Sequence, residues 1–288
     1  MGDTVTNVHV YAEEWATKLQ ERLSEEVKWK DICKVDYTNS KVLHNPYLTE
    51  ATVQTGYRGT AYTYQAISQT DEYVTIDTYK VLPQFIDRAD LAQSTFLSQM
   101  ELADKQGILL NESIESAVYA DYGSFTDFGT LSIGGGGAAT DQITVSATNI
   151  DDIIRGIKRE IREAKGEALL NRNGGFIVWR PADLEILEGF MQANGFVTAD
   201  TALKGGTSQG IQYMGLTHYS SNLLTANHVI AGVKKVYHLG ILKATYGQVM
   251  IDDKDPKATS GVGIVSRVDF KGKAWANVVP VLFDVNVG

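Results

Sequence analysis

Four consecutive glycines, Gly134 to Gly137 in "SIGGGGAATD" (Ser132 to Asp141), constrain this chain more than any other feature. Residues without a Cβ disfavour every regular element, so the chain is expected to fold as two stretches joined there. Upstream, Phe96, Met100, Ala103, Gly107, Leu110, Ile114 and Ala117 recur at steps of four and three. That spacing predicts one long helix beginning near Asp87 or Asp90, with small residues at its seam for close packing. Downstream, Thr148 is expected to cap a helix with Asp151 three residues on, its buried stripe being Ile150, Ile153, Ile154, Ile157 and Ile161. A strand, Phe176 to Trp179, then leads into a helix whose first turn accepts Pro181, and from Ile211 onward the pattern is mostly strand-like. Helices early and strands late make an α+β chain.

Two segments look unable to satisfy themselves. Between Val10 and Lys30, Tyr11, Trp15, Leu19, Leu23 and Val27 form one narrow apolar stripe on a charged helix, which must dock either on its own domain or on something else. Residues 35–58 read as irregular and polar, with Asn45-Pro46 and Gly56. "TAYTYQAISQTDEYVTIDTYK" (Thr60 to Lys80) then reads as a hairpin turning at Ser68 to Asp71. Pairing about that turn sets Tyr62 opposite Asp77, Tyr64 opposite Thr75, Gln65 opposite Val74 and Ile67 opposite Glu72. Neither face is apolar throughout, so the ribbon is expected to lie on a surface outside its own domain.

Composition narrows the function. The 288 residues are 43% hydrophobic and 21% charged, as in folded globular proteins. A net charge of -9 offers no basic footprint for reading nucleic acid. The single cysteine, Cys33, cannot form an internal disulfide and reads as a small core residue. No apolar signal segment follows Met1, and the uncharged run from Gly205 to Val233 holds too many polar residues for a membrane span.

Candidate chemistry fails on context. "GTSQG" (Gly206 to Gly210) matches a nucleophile elbow around Ser208, but a strand-like segment follows where a helix is needed, and no acid lies between Ser208 and His238. His218, His228 and His238 recur every ten residues without a zinc-ligand motif. The glycine runs lack the spacing of a phosphate loop. The expectation is no catalytic residue, no metal and no cofactor.

The order of these segments, an arm with a helix, an extended hairpin, a long helix, a glycine-rich break and a mixed α/β region, resembles the major capsid protein of tailed bacteriophages, the Hong Kong ninety-seven type. "VTIDTYKVLPQFIDRADLAQSTF" looks like that family's passage from extended loop to spine helix, and "ATNIDDIIRGIKREI", "GFIVWRPADLEIL" and "NHVIAGVKKVY" look like its axial domain. The likeness runs from about Tyr11 to the end. It implies an N-terminal arm (1–35), an extended loop (36–82), a peripheral domain with the spine helix (83–147), an axial domain (148–251) and returning strands (252–288).

The implied function is structural: self-assembly as pentamers and hexamers into an icosahedral virion capsid around double-stranded DNA, built in the host cytoplasm without a membrane. The implied partners are copies of itself, a separate scaffolding protein, a portal and, where one is present, a decoration protein. Candidate contacts between subunits are Trp15, Leu19, Leu23, Tyr62, Tyr64, Gln65, Gln69, Tyr73 and Val74. Some relatives cross-link covalently from a loop lysine. Here no lysine lies between Gly59 and Tyr79, so noncovalent shells are expected. Two further readings stand beside this one: a soluble α+β enzyme using Ser208 or the late histidines, and an encapsulin-like compartment shell.

Overall fold

The structure is a computed structural model that describes residues 26–48, 50–59, 61, 63–87, 99–128, 142–194, 210–252 and 261–288. The arm residues Trp15, Leu19 and Leu23, the expected helix positions Asp90 and Phe96, the four-glycine run and Ser208 lie outside the described residues, whereas Asp87, the other expected helix start, is the last residue of a strand.

Two sheets share one core. In the first, β1 (Lys34–Thr38) runs parallel to β10 (His238–Leu242), which pairs antiparallel with β12 (Gly261–Lys273). The long strand β12 pairs along one edge with β4 (Thr78–Asp87) and along the other with β10 and β11 (Val249–Asp252). The second sheet has the order β5 (Thr126–Asp127), β13 (Leu282–Asn286), β9 (His228–Val233), β6 (Gly175–Trp179), β8 (Leu216–Ser220), β7 (Ile211–Tyr213). Its strand β6, "GFIVW", is buried at every position, as a central strand covered on both faces must be. At Gly232 in β9 a Cβ would meet the Val281 carbonyl oxygen at 2.5 Å, so only glycine lets the backbone leading into β13 pass that close.

The long helix α2 (Gln99–Ala120) covers one face of β12, where Ile264, Ser266, Val268 and Phe270 alternate inward and are buried. Two buried polar side chains tie it down. Gln106 donates through Nε2 to Gln84 Oε1 at 2.8 Å and accepts from Ser266 Oγ at 2.5 Å, joining β4 and β12 to the helix. Glu115 accepts from the backbone N–H groups of Lys28 (2.5 Å) and Trp29 (3.3 Å) and from the Tyr119 hydroxyl (2.7 Å). These bonds fix the short helix α1 (Trp29–Ile32) onto α2 and bury Trp29, Ile32 and Cys33. Burial pushes the Glu115 carboxyl up, against the pull of its three donors.

Several expectations hold and others are corrected. The five isoleucines of α3 (Ile150–Glu163) are all buried, and the β6 to α5 (Pro181–Ala193) unit forms as expected, with α4 (Glu167–Asn173) before it. Thr148, however, does not cap α3. Asn149 takes that position, and its side chain ties back to the preceding turn through Ser146 N–H and Thr144 O. Nor does Gly107 serve close packing: a Cβ there would meet nothing within 4 Å, because the residue borders a cleft also lined by Ile108, Asn111, Tyr246 and Arg267. The ribbon is corrected below. Burial raises the Cys33 thiol far above its ordinary value, which makes it inert, as expected of a core residue.

Candidate assembly surfaces

The extended ribbon exists, but with a different partner strand. Gln69 to Asp71, read as a turn, belong to β3 (Gln69–Thr75), whose mate is β2 (Val42–Leu48) in the register Val42↔Thr75 to Leu48↔Gln69. The true tip is therefore 49–68, and no lysine falls anywhere in 42–79. Asn45-Pro46 made β2 look irregular. Among the described residues β2 pairs only with β3, and such an edge strand tolerates a proline. Across the ribbon His44 Nδ1 meets Asp71 Oδ2 at 2.7 Å and its ring lies 5.8 Å from that of Tyr73.

The tip is rich in exposed apolar groups. Val53 is 98% exposed, Tyr64 94% and Ile67 81%, values a chain normally reserves for polar side chains. Five of the 14 tyrosines fall within 42–75, the residue type that offers large contact area at small rotamer cost. Gln65 is exposed and also braces its own chain. Its amide mimics a peptide group, accepting from Thr52 N–H and donating to Thr52 O, both at 2.8 Å, and so braces the tip.

The base of the ribbon is clamped to the body. Lys271 pairs with Asp77 at 3.2 Å, Lys273 Nζ donates to Tyr73 O at 2.9 Å, and Ala276 N–H donates to Glu72 Oε2 at 3.2 Å. Val74 and Ile76 are buried beneath. Val74 is thus a root of the ribbon in its own chain and leaves the set of inter-subunit candidates.

A second surface lies on the first sheet, opposite α2. Tyr79, Val81 and Phe85 of β4 are exposed and share a face with Val265 and Met250, as the registers Val81↔Arg267, Phe85↔Gly263 and Met250↔Val265 require. The Arg267 guanidinium sits over the Tyr79 ring at 5.1 Å. Sequence reasoning missed this face, although Tyr79, Val81 and Phe85 recur with the two-residue period of a strand.

Of the remaining candidates, Gln69 and Tyr73 are exposed on β3, and Tyr62 lies outside the described residues with Trp15, Leu19 and Leu23. The three histidines do not converge. His218 accepts the Trp179 indole N–H at 2.9 Å, His228 pairs with Asp284 at 2.9 Å and stacks on Tyr122, and His238 accepts the Trp275 indole N–H at 2.7 Å. Among the described residues no group of three side chains could hold a metal ion, and no helix is long and apolar enough to cross a membrane.

No protein-family model matches the chain, and no curated protein matches it by sequence. Solved structures do. The capsid of an empty GTA particle superposes with a TM-score of 0.69 at 13% identity, covering 99% of this chain and 98% of that one. The capsid of Ralstonia phage GP4 gives 0.67 at 9% identity over 100% and 99%. A virus-like particle from Pyrococcus furiosus gives 0.57 at 13% identity over 91% and 92%. Identity this low speaks for architecture alone, and architecture agrees over nearly the whole length: the chain has the α+β fold of the phage capsid proteins.

Proposed function

We propose that this chain is the major capsid subunit of a tailed phage, assembling as pentamers and hexamers into an icosahedral shell around double-stranded DNA. The observation that carries this reading is the ribbon, which projects Val53, Tyr64 and Ile67 into solvent while its base is locked to the body. An isolated subunit gains nothing from such an arm. A shell does, because an arm on one copy and a complementary face on the next make a head-to-tail contact that closes rings when repeated. The bare face of β4, β12 and β11 is the proposed receiving surface, and the apolar stripe of Trp15, Leu19 and Leu23 a further contact.

The role is structural rather than catalytic. A scaffolding protein encoded separately, a portal and a decoration protein are the partners this reading proposes, with assembly in the host cytoplasm. The division into arm (1–35), extended loop (36–82), peripheral domain (83–147), axial domain (148–251) and returning strands (252–288) is proposed with it.

Sedimentation of the purified full-length chain tests the reading. Rings or shells are expected, and a species of 31.5 kDa persisting at high concentration would contradict it. A compartment shell that encloses protein is the second reading, favoured only by the likeness to the Pyrococcus furiosus particle. Nuclease-protected DNA inside native particles separates the two.

A further inference from the structure

We propose that His238 is a proton-operated latch that holds the extended loop to the body when neutral and releases it when protonated. Two of the three bonds that clamp the loop come from one short segment, the third being the Lys271–Asp77 pair. Lys273, at the end of β12, donates to Tyr73 O, and Ala276 N–H donates to Glu72. Between them stands Trp275, which is 3% exposed, and whose ring also lies under the Lys273 ammonium at 5.0 Å. The Trp275 carbonyl accepts from Val278 and Val279 N–H, and its side chain is pinned by the bond from its indole Nε1–H to His238 Nδ1 at 2.7 Å, with the two rings edge to face.

That bond needs a neutral imidazole. An indole N–H is a donor only, so His238 Nδ1 must offer a lone pair, which leaves the proton on Nε2, facing Asp36 Oδ2 at 3.3 Å. A second proton can enter only at Nδ1. Two N–H groups then confront each other in a buried site, and the Trp275 donor loses its acceptor. The indole must turn away, and residues 273–276 carry their bonds to Glu72 and Tyr73 with them.

The charged groups around the ring are few. Lys34 and Asp36 face it from β1, and Lys273 is its register partner on β12, with Lys271 two residues along. Burial and then Lys34 oppose the second proton, while Asp36 favours it, and the balance lowers the pKa below 6.5. The latch is therefore closed at neutral pH and opens in acid. Asp36 keeps the ring aligned in both states.

Amide hydrogen exchange of the full-length chain, corrected for the intrinsic effect of pH, reads the latch in residues 69–75. Between about pH 8 and about pH 5, protection of β3 should fall ~10-fold, the size expected for one lost buried hydrogen bond. His238→Asn places an amide oxygen near the position of Nδ1 without a titrating proton, so its β3 protection should not change over that range. Trp275→Phe should be poorly protected at both pH values. In the wild-type chain, ¹⁵N shifts of the imidazoles should give His238 a midpoint that coincides with the loosening. Constant protection in wild type, the same acid loss in His238→Asn, or a midpoint that follows His44 within the ribbon instead would each overturn the latch.

Discussion

The indole Nε1–H of Trp179 donates to Nδ1 of His218 across 2.9 Å, inside the second sheet where both side chains are fully buried. The other ring nitrogen, Nε2–H, donates to the Tyr213 carbonyl at 3.3 Å, so the ring is used as a neutral bridge between β6, β8 and the β7 hairpin. Burial lowers its pKa from 6.5 to about 4. Because the folded value lies below the unfolded one, stability is full above pH 6.5 and is lost as pH falls toward 4. The whole effect is about 3 kcal/mol. Urea unfolding at neutral and acid pH should show this loss in wild type, and His218→Asn should lack most of it.

Glu115 holds the entry of the chain into the body. Glu115→Ala orphans two backbone donors and the Tyr119 hydroxyl and should cost about 3 kcal/mol, whereas Glu115→Gln, which keeps the shape and sheds a buried charge, should cost less than about 1 kcal/mol. Thermal melts of the two variants provide the comparison. Equal losses would mean that the carboxylate charge, and not its hydrogen-bonding shape, matters.

Gly232→Ala presses a methyl group against the Val281 carbonyl oxygen, which belongs to backbone and cannot rotate aside. The expected cost is about 2 kcal/mol or more, read as a lower denaturant midpoint. Gly107→Ala is the control, since its methyl group points into open space and replaces a helix-interior glycine; it should stabilise by about 0.5 kcal/mol.

Tyr64→Ser with Ile67→Ser strips two exposed apolar groups from the ribbon tip. The melt should move by no more than about 0.5 kcal/mol, the range of surface substitutions. Particle yield should collapse. Val74→Ser should act the other way, lowering stability of the subunit itself, since Val74 is buried in its own chain.

Boiling assembled particles in detergent should release a band near 31.5 kDa, because the ribbon has no lysine between Val42 and Tyr79 from which an amide cross-link could start. A ladder of linked subunits would place the reacting amine elsewhere in the chain.

Periodicity made the helices legible. The isoleucine stripe of α3 and the Pro181 start of α5 depend on local spacing and local backbone chemistry, and both appear where the sequence puts them. Pairing between distant strands leaves no such trace. Ser68 to Asp71 look like a turn by composition, yet the alignment of β3 with β2 is set by Val74 and Ile76 seating on the body, with Lys271 and Lys273 clamping from 200 residues away. Asn149 displaced Thr148 for a similar reason: Ser146 and Thr144 offered its side chain better partners than the helix did. The bond of Gln65 to Thr52 was not legible, because nothing in sequence reveals that Thr52 lies across the loop. The exposed face of β4 was visible as alternation, but only the position of α2 tells which side stays uncovered.

Cryo-electron microscopy of particles formed by the full-length chain tests the central claim, that the loop of one copy seats on the next. The predicted result is a closed shell of five- and six-fold capsomers in which residues 49–68 cover the face bearing Tyr79, Val81 and Phe85 of an adjacent subunit. Shells in which that face stays bare while the loop folds back on its own subunit, or a chain that never leaves the monomeric state, would contradict it.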